Sequence, residues 1–166
     1  MKARLHLFEF GDLEWFPQVL RDAETALLAG LYRLLPPLRT QWAEKISSAL
    51  TLGKPVEIVD LCSGSGGAMA WIIEDLVKRG YDARATLTDL YPTPRALSHP
   101  RLKYLDEPVD ATRVPANLTG VRTCVFTMFS AFHHFRPLLP RNGCLSFPNE
   151  HWSLKSGFLH RRNTRV

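Results

Sequence analysis

A glycine- and serine-rich loop, Cys62-Ser63-Gly64-Ser65-Gly66-Gly67, sits directly behind a short β-branched run, Val56-Glu57-Ile58-Val59-Asp60-Leu61. The run is short, mostly apolar and rich in Val and Ile, which reads as a strand buried on both faces. Ala68 to Arg79 follows with Trp71, Ile72, Leu76 and Val77 at helical spacing, and Gly80 stands where a helix C-terminal cap belongs. Ala83 to Thr88 is a second strand ending at Asp89. A strand, a glycine-rich turn, a helix and a second strand imply a right-handed βαβ crossover and a parallel sheet. Leu102 to Leu105 reads as a weaker third strand and Val121 to Phe129 as a stronger fourth. The fold class expected is α/β, a Rossmann-like parallel sheet with helices on both faces.

An N-terminal helical segment precedes it, residues 1–53. Leu20, Ala23, Leu27, Leu28, Leu31 and Leu34 recur every three or four residues, the apolar stripe of an amphipathic helix. Pro17 lies near its start, where a missing N–H costs little. Pro36-Pro37 end it, and Trp42, Ile46, Ala49 and Leu50 point to a second, shorter helix. The sheet domain then covers residues 54–136, and residues 137–166 form a basic tail read as irregular.

Charge separates that tail from the rest. Residues 1–135 hold 15 Lys and Arg against 15 Asp and Glu, whereas six basic residues from Arg136 to Arg165 face one acid, Glu150. The tail therefore carries the whole net charge of +5. Pro137, Pro140, Gly143, Pro148 and Gly157 interrupt it, with no sustained helical or strand period. It is either a nucleic-acid arm or a segment outside the fold, and the breakers favour the second reading. The composition, 45% hydrophobic and 22% charged, excludes a wholly disordered chain. Apolar runs such as Ala68 to Ile73 reach about a third of the ~20 residues that span a bilayer. Glu9, Asp12 and Glu14 break any signal-peptide core, so a cytoplasmic protein with no membrane partner is expected. Cys62, Cys124 and Cys144 show neither zinc-ligand spacing nor a disulfide framework, so no metal is expected.

The chemistry concentrates at the glycine loop. Missing Cβ atoms let a ligand reach the backbone, and the following helix aims N–H groups at it. Open α/β sheets bind ligands at the carboxyl ends of such strands. Asp89 lies 23 residues beyond Gly66, at the end of the second strand, where an acid can accept hydrogen bonds from both ribose hydroxyls. Without a ligand, the same residues would be a tight turn and a strand-end cap. A dinucleotide loop wants glycine where Met69 stands, which disfavours NAD(P).

With Asp60 at the strand end, the loop resembles motif I of class I S-adenosylmethionine-dependent methyltransferases, an acid followed by glycines on alternate positions. The resemblance spans about residues 54–136. It implies cofactor contacts from Asp60, Gly64, Ser65 and Gly66, and from Cys62, which stands in place of the motif's first glycine. Asp89 matches the acid that holds the cofactor ribose. Asp110 and Ala111 match the segment that meets the adenine, and Phe129 and Ser130 the backbone presented to the methionine moiety. His133 and His134 follow; imidazole can take a proton from a methyl acceptor, but packing or capping is the plainer role for either. Asn-Pro-Pro-Tyr, the family's mark of base-amino methylation in DNA, is absent after the fourth strand, so a small-molecule acceptor is expected. Trp15, Trp42, Trp71 and Trp152 form no stacking array for nucleobases.

A complete family fold continues with a helix, a fifth strand and a closing antiparallel hairpin, and the pattern here stops after the fourth strand. The expectation is therefore an incomplete methyltransferase that keeps the cofactor half, with Val121 to Phe129 left as an open edge for self-association. An inactive cofactor-binding or interaction module is the alternative, and nucleic-acid binding through the tail a further one.

Overall fold

A computed structural model describes residues 10–93, 99–119, 123–129, 131, 146–147, 150–155 and 158–161. After a 3-10 turn at Phe10–Asp12 come helices α1 (Gln18–Arg33) and α2 (Pro36–Ser47). Then follow β1 (Val56–Leu61), α3 (Gly67–Lys78), β2 (Ala83–Thr88), β3 (Leu102–Tyr104), a 3-10 helix (Ala116–Thr119) and β4 (Thr123–Met128). β5 (Ser146–Phe147), β6 (Glu150–Lys155) and β7 (Phe158–Arg161) complete the described elements. Pro36 and Pro37 do more than end α1: they open α2, at positions whose N–H groups would have no helical partner.

The four strands expected from the sequence form one parallel sheet in the order β3-β2-β1-β4. β1 is central and pairs along its whole length, Val56 with Ala83 and with Thr123, Leu61 with Thr88 and with Met128. Its burial on both faces accounts for the mostly apolar run. One face packs Val56, Ile58, Ala85, Leu87 and Val125 under Ile46 of α2 and Met69, Ile72, Ile73 and Leu76 of α3. The other packs Val59, Leu61, Phe126 and Met128 against Ala111, Val114 and Ala131. Among the described residues this second face is covered by the 109–119 segment and its short 3-10 helix, not by the α-helix expected there. Pro108 and Pro115 bound its first six residues and leave too short a span for one there.

The tail departs from the irregular reading. β7 pairs antiparallel with β4 through Thr127 and Phe158, and β6 and β5 follow outward, so the sheet has seven strands. The edge of β4 expected to be open is therefore paired. The signal lay in a short stretch. Trp152 and Leu154 alternate with polar residues, and Lys155 pairs with Phe158 across a two-residue Ser156-Gly157 connection, a spacing and composition that suit a hairpin.

The leucine stripe of α1 also departs from expectation. Leu20, Leu27, Leu28, Leu31 and Leu34 are all exposed, Leu27 by 67% and Leu34 by 75%. Arg21 and Tyr32 are the buried residues of this helix, with Thr25 and Ala29 between them on the same side. The reason is the surface that α1 meets. A Cβ at Gly64 would lie 2.6 Å from Thr25 Cγ2, and one at Gly67 2.5 Å from Ala29 Cβ. Only small side chains fit so close to the glycine loop, and leucines would hold the helix away.

Candidate functional site

The loop after β1 turns tightly. Cys62, Gly64 and Gly66 all take positive φ, at 56°, 51° and 70°. Gly66 is the N-cap of α3 and donates its N–H to the Ser63 carbonyl at 2.7 Å. The first turn of α3 thus begins at the loop, at the carboxyl end of the sheet.

Three side chains fix the loop from the strands. Asp89 Oδ2 accepts from Gly64 N–H at 2.8 Å, and its Oδ1 accepts from Tyr91 N–H at 2.9 Å. Each oxygen so occupied keeps further lone-pair capacity, enough for the two vicinal hydroxyls of a ribose. Tyr104 Oη, on β3, donates to the Gly64 carbonyl at 2.7 Å. Burial, with the nearby Asp89 charge, raises the Tyr104 phenol pKa, so it stays a donor across the working pH range. Tyr104→Phe leaves that half-buried carbonyl without its donor and is expected to cost about 1–2 kcal/mol in denaturant unfolding. An unchanged unfolding midpoint would remove Tyr104 from this role.

Asp60 is the third. It is 4% exposed, and Thr127 Oγ1 donates to its Oδ1 at 2.6 Å. Ser63 Oγ lies 2.9 Å from both Asp60 Oδ2 and the Asp60 carbonyl. Burial raises the carboxyl to about 7 against the lowering effect of the Thr127 and Ser63 hydroxyls, with the Asp89 charge adding to the rise. A neutral Asp60 suits the geometry. Ser63 has one hydroxyl proton for two acceptors, and a protonated Oδ2 can donate to Ser63 Oγ while Ser63 donates to the carbonyl.

The loop borders a half-open cavity of about 60 Å³ lined by Asp60, Cys62, Ser63, Gly64, Ser65 and Gly66, with Phe129 at one side. So the structure brings together six of the residues singled out from sequence: Asp60, Cys62, Gly64, Ser65, Gly66 and Phe129. Asp89 joins them through Gly64 without lining the cavity. Ala111 packs instead into the core beneath the second face. Asp110 is exposed, and its Oδ1 accepts from Thr112 N–H and Thr112 Oγ1, both at 2.7 Å, in a local turn. Its segment still reaches the site through the backbone, because Val109 N–H donates to the Asp89 carbonyl at 2.8 Å. Ser130, His133 and His134 lie outside the described residues.

Thr25, Leu28, Ala29 and Tyr32 of α1 supply the remaining side of the cavity. The sequence reading names Leu28 only as part of a packed stripe and passes over Thr25, Ala29 and Tyr32, because it assigns α1 to a separate segment. Tyr104 was likewise missed; its one signal is an aromatic with a hydroxyl on a strand adjoining the Asp89 strand.

In comparisons with known proteins, no family model, no curated protein and no solved structure matches the chain. Among the described residues no helix is long and apolar enough to cross a membrane.

Proposed function

We propose that the chain binds S-adenosylmethionine at the carboxyl ends of β1, β2 and β4 and serves methyl transfer to a small-molecule acceptor. The observation that carries this reading is the Asp89 carboxylate held on the Gly64 N–H. It couples an acid suited to a ribose to a glycine loop at a helix N-terminus, at the place where open parallel sheets take ligands. The donor and acceptor set fits the cofactor: Asp89 for the ribose, the loop backbone from Cys62 to Gly66 for close approach, and Phe129 beside the loop. When bound, the cofactor would supply an electrophilic sulfonium methyl. The chain's own contribution is alignment and exclusion of water, the main needs of a direct displacement. The enclosed volume is small beside the ~300 Å³ or more of common ligand pockets, and Thr25 and Ala29 fill the space over Gly64 and Gly67, so close approach of the cofactor to that backbone requires α1 to give way.

Calorimetry with S-adenosylmethionine, beside NAD and single-stranded RNA, tests the reading. Binding of the first alone is expected. Asp89→Ala is expected to weaken it by about 1.5–3 kcal/mol, tenfold or more, with the fold intact. Wild-type affinity in that variant would take the ribose role from Asp89.

A further inference from the structure

We infer that α1 is a movable lid over the glycine-loop cavity, latched to the loop after β2 by Gln18, Arg21 and Asp22. The inference deepens the cofactor reading and rests on it for the identity of the ligand. Two observations carry it. The half-open cavity of about 60 Å³ is walled on one side by Thr25, Leu28, Ala29 and Tyr32, and Thr25 and Ala29 fill the space over Gly64 and Gly67, so a ligand that reaches that backbone must displace the helix. The attachment of α1 beside the cavity is polar and small. Asp22 Oδ1 accepts from Thr93 Oγ1 at 2.8 Å and from Gln18 Nε2 at 2.9 Å, and Gln18 Nε2 also donates to Thr93 Oγ1 at 3.1 Å. The Arg21 guanidinium sits 3.7 Å from the centre of the Tyr91 ring and donates from Nε to the Gly11 carbonyl at 2.9 Å.

This latch closes on the same loop that carries Asp89. Tyr91 N–H donates to Asp89 Oδ1, so the segment holding the lid also orients the acid assigned to the ribose. The outward side of α1 is exposed leucine, so the apolar contacts that hold it closed are confined to its inner side, where Ala29 meets Gly67 and Tyr32 meets Trp42. Elements with few buried contacts open at low free-energy cost, whereas α3 buries Met69, Ile72, Ile73 and Leu76. The lid can therefore part from the loop while the sheet and α3 remain folded.

Hydrogen exchange on the full chain tests the lid without a ligand. Amides of residues 18–33 are expected to exchange faster than those of residues 67–78 and 56–61. Asp22→Ala should accelerate residues 18–33 by about fivefold or more, the scale of losing one or two net hydrogen bonds, and leave α3 and β1 unchanged. Thr93→Val, which removes the partner hydroxyl, should act in the same direction. Exchange of α1 in step with α3 and β1 in the wild type and in both variants would overturn the lid. A parallel arm adds saturating S-adenosylmethionine to the wild type, where protection of residues 62–67 is expected. Loosening of α1 in the variants, with no effect of S-adenosylmethionine on the wild type, would keep the lid and discard the cofactor reading.

Discussion

Between pH 4 and pH 8 the unfolding free energy of the wild-type chain should fall, and Asp60→Asn should abolish that fall. The folded carboxyl titrates at about 7, against 3.8 for the free side chain, so between these values the folded state holds a proton that the unfolded state has lost. The sign follows: the group's stabilising contribution is complete below about 4 and is lost as pH rises through about 7. At about 1.36 kcal/mol per unit, the change is on the order of 4 kcal/mol. Asparagine mimics the neutral acid. Its oxygen can accept from Thr127, and its amide can donate to Ser63 Oγ where a protonated Oδ2 would. The variant should therefore be the more stable protein above pH 7 and differ little below pH 4. Denaturant titrations at four or five pH values decide this, and parallel curves for the two proteins would show that Asp60 is not held neutral.

Gly64→Val should damage both fold and ligand binding, whereas Cys62→Gly should do neither. At Gly64 the backbone has φ 51°, a left-handed conformation that costs an L-residue about 1–2 kcal/mol, more when it is β-branched. The added Cβ would also stand 2.6 Å from Thr25 Cγ2, so α1 must shift, at the ~1–3 kcal/mol typical of overpacking. Together these predict a loss of about 2–5 kcal/mol and, for a chain of this length, a Tm lower by about 5–15 °C. Binding of S-adenosylmethionine should fall at least a hundredfold, because the backbone shift carries the Gly64 N–H away from Asp89. Cys62 already holds φ 56°, and glycine there exchanges local strain for chain entropy, leaving stability within about 1 kcal/mol. Thermal melts and calorimetry on the two variants give the comparison; a Gly64→Val protein with wild-type melting would contradict the close packing of α1 on the loop. Gly66, the αL N-cap of α3, should be as intolerant of valine by its backbone alone.

The sequence by itself determined the parallel half of the sheet and the loop at its carboxyl end. Val56–Leu61, Ala83–Thr88 and the glycine run are short-range signals. A mostly apolar, β-branched run reads as a buried strand, and three glycines within four residues, Gly64, Gly66 and Gly67, mark the tight loop behind it. Asp89 was legible for the same reason, since the end of β2 is fixed once β1 and α3 are. Which side of α1 faces the protein was not legible. Apolar periodicity names the leucine side, but the docking surface is built by Gly64 and Gly67, more than thirty residues away, and it accepts only side chains as small as Thr25 and Ala29. The neutral state of Asp60 was hidden as well, because it depends on β4 and Ser63 closing over the carboxyl and excluding water. The place of the tail in the sheet depended on β4 offering it a free edge. Strand pairing and close helix-to-loop contact are decided between segments distant in sequence, where local pattern carries no information. The tertiary structure alone settled that α1 walls the cavity, and that β7 lies against β4.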